Sequence, residues 1–404
     1  MKKKLIALMM GAVMAFSLTA CGSSNSTANT GASEAAGSEA AGSEAASAET
    51  ADNASANLDM KIAMVTDYGD ITDQSFNQTT YESGKAWSEE NGVDFTYYKP
   101  EGDSTADRVA MIDKAVADGY NVLLLPGYSF AEAVVETAEM YPDVDYVVLD
   151  CSEADFSGAN GGAEFSADNV FSAAYSEEIG GFLGGYAAVK MGYKNLGYLG
   201  GMAVPAVMRF GYGFVQGADA AAAEDGITDI SINYAYGNQF SGDADITAAM
   251  DTWYQGGTEV VFACGGGIYT SAAEAAAKTG GKVIGVDSDQ KPIIDGAYGD
   301  GMTITSVTKG LKATVNLLLN AIKNGEFANY GGQVQTLGLA SADDMSLNYI
   351  GLSDSTVWTD NFTEDSYKAL VASIFNGDIT VSNDTSADQP SAENVKINFQ
   401  GNLK

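Results

Sequence analysis

The sequence predicts an α/β fold built as two successive doubly wound sheets. Two observations carry that expectation. From Leu58 onwards, short apolar runs alternate with segments of helical periodicity. The alternation pauses in a glycine-rich helix and restarts after Gly192, the rhythm of two βαβ runs. A chain of 404 residues is long enough for two domains.

The organising stretch is Lys61–Asn77. Lys61–Thr66 places Ile62, Met64 and Val65 in a short run suited to a buried parallel strand. A polar loop with Asp67, Gly69, Asp70 and Asp73 follows. Asp73 is placed to cap a helix beginning near Gln74 and ending at Asn91-Gly92. Loops at the carboxyl ends of strands are where open α/β sheets bind ligands. Further strands are expected at 94–98, 121–125, 145–149 and 170–175. Helices are expected at 105–118 and 129–140. The helix 176–191 carries Gly180, Gly181, Gly184 and Gly185. Glycine weakens a helix, so its concentration here points to close backbone packing, with the interface between domains as the candidate place. The second run has strands at 195–199, 229–234, 259–263, 282–286 and 302–305. Its helices are at 204–222, 243–255 and 270–278. Lys309–Lys323 is strongly periodic, with Leu311, Val315, Leu318, Leu319 and Ile322 on one face. Beyond it only the helix 366–375 is clear, among loops and short strands.

Composition narrows the function. The 54 Asp and Glu outweigh 20 Lys and Arg, for a formal charge of −34, which argues against nucleic acid as a partner. The chain has no histidine, which excludes histidine-ligated metals and histidine-based triads. No metal or cofactor is called for. Cys151 and Cys264 lie at strand ends and read as small buried residues, with a disulfide between them as the alternative. Residues 1–20 read as a secretory signal, with Lys2–Lys4 before an apolar run. Leu18-Thr19-Ala20-Cys21 resembles a lipobox, which implies a lipid on Cys21 and a membrane-anchored extracytoplasmic protein. Residues 21–57, poor in bulky apolar side chains and rich in Gly, Ser, Glu and Ala, read as a flexible tether.

Several segments in order resemble the basic membrane lipoprotein family of PnrA-like purine nucleoside receptors. They are Asp73-Gln74-Ser75-Phe76-Asn77, matching D-x-S-F-N; Asn169-Val170-Phe171 with the glycine-rich helix; GGMAVPAVMRFGYGF at 200–214; VFACGGG at 261–267; GVDSDQ at 285–290; and TSVTKG at 305–310. The resemblance implies a type I periplasmic-binding-protein fold, with two Rossmann-like lobes, three crossovers and a central ligand cleft. It places residues 60–174 and 306–335 in the first lobe, and 175–305 and 336–404 in the second.

The resemblance further implies a nucleobase held between aromatics and a ribose held by carboxylates. Carried over by position, the site residues are Asp67, Phe76, Asn77, Asp150, Phe240, Gly266, Asp287 and Lys309. Phe210 rivals Phe240 as the opposing aromatic, and Asp289 lies close to Asp287. The chemistry is sound on general grounds. Aromatic faces stack on a flat base, and a carboxylate accepts from both hydroxyls of a vicinal diol. The implied function is an extracytoplasmic substrate-binding lipoprotein of an ABC importer, with the permease and ATPase subunits as partners. The alternatives are a receptor for another small polar ligand, such as a sugar, and a nucleoside hydrolase.

Overall fold

The computed structural model describes residues 59–404. The signal segment 1–20, the tether 21–57 and Cys21 lie outside the described residues. The chain opens with β1 (Lys61–Val65), α1 (Phe76–Asn91), β2 (Asp94–Tyr98), α2 (Thr105–Ala117) and β3 (Val122–Pro126). Next come α3 (Ala131–Thr137), β4 (Asp145–Leu149), α4 (Glu153–Ala159) and β5 (Val170–Tyr175). These strands form a parallel sheet in the order β2-β1-β3-β4-β5. β3 is buried along its whole length, as its unbroken apolar run requires.

The chain then crosses to a second body. It comprises α5 (Glu177–Lys190), β6 (Asn195–Gly200), α6 (Pro205–Asp225), β7 (Ile230–Tyr236), α7 (Ala244–Gln255) and β8 (Val260–Cys264). It continues through α8 (Tyr269–Thr279), β9 (Lys282–Asp287), α9 (Lys291–Tyr298) and β10 (Thr303–Lys309). A second crossing returns α10 (Leu311–Lys323) and β11 (Gln333–Leu337) to the first sheet, where β11 adds beside β5. A third crossing leads back to β12 (Ile350–Leu352), α11 (Glu364–Phe375) and β13 (Val395–Asn402). The second sheet runs β13-β7-β6-β8-β9-β10-β12, parallel except for the β10–β12 pair. Two lobes joined by three crossings are the type I periplasmic-binding-protein fold.

Helices cover both faces of each sheet. In the first lobe, Leu311, Val315, Leu318 and Leu319 of α10 pack with Ile62, Met64, Leu124 and Tyr175. Ile112 of α2 and Val134 of α3 cover the other face with Leu123 and Tyr146. In the second lobe, α5, α6 and α11 lie on one face and α7, α8 and α9 on the other. No described helix is long and apolar enough to cross a membrane.

Several boundaries differ from the sequence reading. β10 continues through Lys309 in the second sheet, so the second crossing falls at Gly310 rather than at 306. Thr305–Lys309 is polar enough to read as a loop, yet most of it is buried between β9 and β12. The segment 129–140 divides into a 3₁₀ turn at Tyr128–Phe130 and the shorter α3. The short helices α4 and α9 show too few turns for a periodic signal. The glycine-rich helix α5 packs against α6 inside the second lobe, not between the lobes. A Cβ on Gly181 or Gly185 would overlap the carbonyls of Phe210 and Phe214. One on Gly213 or Gly217 would overlap those of Glu178 and Phe182. Four glycines thus bring two helix backbones into direct contact.

Candidate functional site

The carboxyl ends of both sheets face each other across a cavity of about 660 Å³, within the size range of small-molecule sites. All eight residues carried over from the sequence line it: Asp67, Phe76, Asn77, Asp150, Phe240, Gly266, Asp287 and Lys309. Asp67 follows β1, Asp150 follows β4, Asp287 ends β9 and Lys309 ends β10. The lobes are equivalent in strand order, with β4 and β9 in corresponding places. Asp150 and Asp287 therefore sit at the same position of the two lobes. Both have left-handed backbones, with φ of 67° and 65°. Such a conformation is rare outside glycine, although Asp and Asn tolerate it best.

The first lobe presents its polar wall through the D-x-S-F-N loop. Asp73 Oδ1 accepts from the N–H groups of Ser75 and Gln78, at 2.9 and 3.0 Å. Its Oδ2 accepts from the Asn77 N–H at 3.0 Å. The free amides of the first turn of α1 are thereby satisfied. Asp67 Oδ1 accepts from Gly69 N–H at 2.6 Å and from Asn77 Nδ2 at 3.4 Å. Burial pushes the Asp67 carboxyl up to about 6, against the Gly69 hydrogen bond.

A buried charge chain runs from the cavity wall into the second lobe. Lys309 Nζ lies 2.6 Å from Asp150 Oδ2 and 2.9 Å from Glu177 Oε1. Arg209 Nε donates to Glu177 Oε2 at 2.6 Å. Burial pushes Asp150 up to about 6, with Lys309 opposing the rise. Burial also lifts Asp287, again against Lys309. For Glu177, burial is outweighed by Lys309 and Arg209, which hold the carboxyl below its usual range. For Lys309, burial is outweighed by Asp150 and Glu177, so the ammonium stays charged. Its Nζ also lies 5.1, 5.3 and 5.5 Å from the ring centres of Phe76, Tyr175 and Phe210, within cation–π range.

Phe240 comes from the second lobe and rests on glycines. A Cβ at Gly265 would lie 2.8 Å from its ring, and one at Gly201 would overlap it. The ring beside Phe240 is Tyr68, at 6.2 Å and 33°. Phe76, the aromatic expected opposite Phe240, borders the same cavity and has Lys309 over one face. Phe210 is fully buried but also borders the cavity. Gly266 has φ of 50° and accepts at its carbonyl from Gln290 Nε2 at 3.4 Å.

Ser75 escaped the sequence reading as a contributor. Ser75 Oγ donates across the cleft to Asp287 Oδ2 at 2.6 Å. Gln290 Nε2 reaches the Gln74 carbonyl at 3.1 Å. Gln290 is fully buried and acts as a bridge between lobes, while Asp289 accepts from Ser355 and Lys291 outside the cavity. Glu177 and Arg209 were also missed. Two acidic residues opening a helix read as favourable charges at its amino end, and nothing nearby in sequence marks Glu177 as bound to Lys309. Cys151 and Cys264 are free, buried thiols in separate sheets.

Comparison with known proteins places this geometry in a family. Residues 60–382 match the family model described as ABC transporter substrate-binding protein PnrA-like. The chain is 30% identical over 298 residues to the ABC transporter nucleoside-binding protein BmpA of Lactococcus lactis subsp. cremoris MG1363, covering 70% of this chain and 79% of that one. It is 28% identical over 367 residues to the CD4+ T-cell-stimulating antigen of Listeria innocua, covering 85% and 92%. In structure it resembles an ABC transporter solute-binding protein from Aeropyrum pernix K1, with a TM-score of 0.61 and 21% identity over 80% of this chain and 87% of that one. The chain belongs to the PnrA-like family of ABC transporter substrate-binding proteins.

Proposed function

We propose that this chain captures purine nucleosides between its lobes and delivers them to the permease of an ABC importer. The observation that carries the reading is a cleft of aromatic rings beside acceptors without donors. Asp150 Oδ1 and Asn77 Oδ1 are buried and have no hydrogen-bond partner in the protein. Buried polar atoms are nearly always satisfied, so these two call for donors on a ligand. Hydroxyls and ring N–H or amino groups are such donors. Phe76 and Phe240 bring apolar ring faces from opposite lobes. A nucleoside offers both a flat base and a diol. The surplus of carboxylates, Asp67, Asp73, Asp150 and Asp287, repels a phosphate, which favours nucleosides over nucleotides. The name of the lactococcal relative supports the same ligand class.

The proposal requires no covalent step. Binding energy shifts an open–closed equilibrium, and the closed form is what the permease receives. Lipid on Cys21 holds the receptor at the outer face of the membrane. Cys21→Ala would then abolish incorporation of labelled fatty acid, and unchanged incorporation would remove the anchor from the proposal.

The central test is isothermal calorimetry on the chain lacking residues 1–21, unfolded and refolded to strip any retained ligand. Adenosine, guanosine and inosine are expected to saturate, with ribose and a nucleotide far weaker. Binding of a sugar with no response to nucleosides would replace the ligand class. Release of free base on incubation would replace the receptor by a hydrolase.

A further inference from the structure

Glu177 and Arg209 do not line the cavity, yet their charges are directed towards it. Glu177 is fully buried, and the Arg209 side chain is 17% exposed. Asp150, Lys309, Glu177 and Arg209 form an alternating chain, with contacts of 2.6, 2.9 and 2.6 Å. Its place in the fold is specific. Glu177 opens α5 immediately after the first crossing, and Lys309 ends β10 immediately before the second. Asp150 belongs to the first lobe and Arg209 to α6 of the second. The chain therefore ties two of the three crossings to a residue at the ligand cavity.

We propose that Glu177, held from behind by Arg209, is a positioning residue that shares Lys309 with Asp150 and so sets how strongly Asp150 accepts from a ligand. The inference rests on the cleft reading above. Lys309 has three N–H donors. Asp150 and Glu177 engage it from two sides, and the rings of Phe76, Tyr175 and Phe210 crowd its remaining space. Without Glu177, Asp150 is the remaining ion-pair contact of Lys309, with the charge of Asp287 also acting on it. The Asp150 carboxylate is then more fully neutralised and a weaker acceptor for hydroxyls. A merely structural Glu177–Arg209 pair would leave Asp150 unaffected.

Charge signs separate the two cases. Asp150 is faced by Lys309 of β10, Asp287 of β9, Glu177 of α5 and Arg209 of α6, with Tyr175 and Cys151 from its own lobe. Ionised Asp150 is the accepting form, so affinity is expected to fall as pH drops through about 6. Removing the negative charge of Glu177 lowers that midpoint. Removing the positive charge of Arg209 raises it. Asp67 also titrates near 6, but its neighbours are Asp73, Asn77 and Gly69, so its part of the profile stays in place.

The experiment measures adenosine affinity of the mature chain from pH 4.5 to 8 for wild type, Glu177→Gln and Arg209→Gln. Glu177→Gln is expected to weaken binding about tenfold at pH 7.5 and to move the acid limb down by about one pH unit, the usual effect of a neighbouring charge. Arg209→Gln is expected to move the limb up. Both variants losing thermal stability with an unmoved limb would overturn the proposal. If Glu177→Gln does not fold, Arg209→Gln alone decides by the direction of its shift. If the wild type binds no nucleoside, the functional reading fails separately. The carboxyl ¹³C resonance of Asp150, assigned with Asp150→Asn, is then titrated without ligand. Opposite shifts in the two variants support the positioning role, and coincident curves overturn it.

Discussion

Asp287 combines three demands that pull on one side chain. It ends a strand in a left-handed backbone, accepts from Ser75 across the cleft and borders the cavity. A left-handed non-glycine residue costs of order 1–3 kcal/mol, and such strain gathers at functional sites. Asn tolerates the same backbone, so Asp287→Asn separates folding from binding. The variant is expected to keep the wild-type circular dichroism spectrum while losing about 1.5 kcal/mol or more of nucleoside binding, the value of a hydrogen bond to a charged group. Unchanged affinity in calorimetry would remove Asp287 from the site. At this scale the sequence placed eight residues around one cavity, because strand-end loops and motif positions are local facts. It missed Glu177 and Ser75 because their partners, Lys309 and Asp287, lie far along the chain. It set Phe240 opposite Phe76 and both border the cavity, but it gave no sign of Tyr68 beside Phe240, since that contact depends on tertiary packing.

The pair α5 and α6 shows how an element can be specified by what it lacks. Gly181, Gly185, Gly213 and Gly217 leave no side chain at the points where the two backbones touch. The conformational cost of glycine in a helix, about 1 kcal/mol each, is offset by close backbone packing. Gly181→Ala would place a methyl against the Phe210 carbonyl, where backbone rather than a flexible side chain must give way. Overpacking of this kind costs about 1–3 kcal/mol, sometimes more. Denaturant unfolding is expected to show the loss, whereas Gly158→Ala, with open space around its Cβ position, should cost little. Equal stability of the two variants would refute the seam. The glycine pattern was visible in the sequence, but its partner was not, since nothing local distinguishes a seam within a lobe from one between lobes. The strands of the βα rhythm were legible because unbroken apolar runs such as Val122–Leu125 are buried on both faces. The edge strands give a weaker signal: β11 has no buried position, and β13 alternates exposed and covered positions among Asn, Gln and Gly.

For the whole molecule, acid is expected to act on folding and binding in opposite directions. Burial lifts Asp67, Asp145 and Asp150 to about 6, and Glu178 to about 7. A carboxyl raised above its unfolded value binds more protons in the folded state between the two values. Stability without ligand therefore rises as pH falls from about 7 towards 4. Relief of the strong net negative charge works in the same direction. Ligand affinity should fall over the same window, because protonated Asp67 and Asp150 are poorer acceptors. Thermal unfolding with and without adenosine from pH 4.5 to 7.5 tests this, and parallel trends would refute it. Carboxylates held low by partners, such as Glu177 and Asp295, lose their contribution only in more acid solution.

On the proposed reading, the matching places of Asp150 and Asp287 would divide the grip on a ligand between two bodies. Either half of the grip is of little use until the other arrives, so occupancy and lobe separation become a single variable. Dyes at the half-exposed Lys114 and Lys278, one on each lobe, would turn that variable into an energy-transfer ratio. The receptor would then work as an optical gauge, reporting the nucleoside content of its medium without any chemistry on the nucleoside.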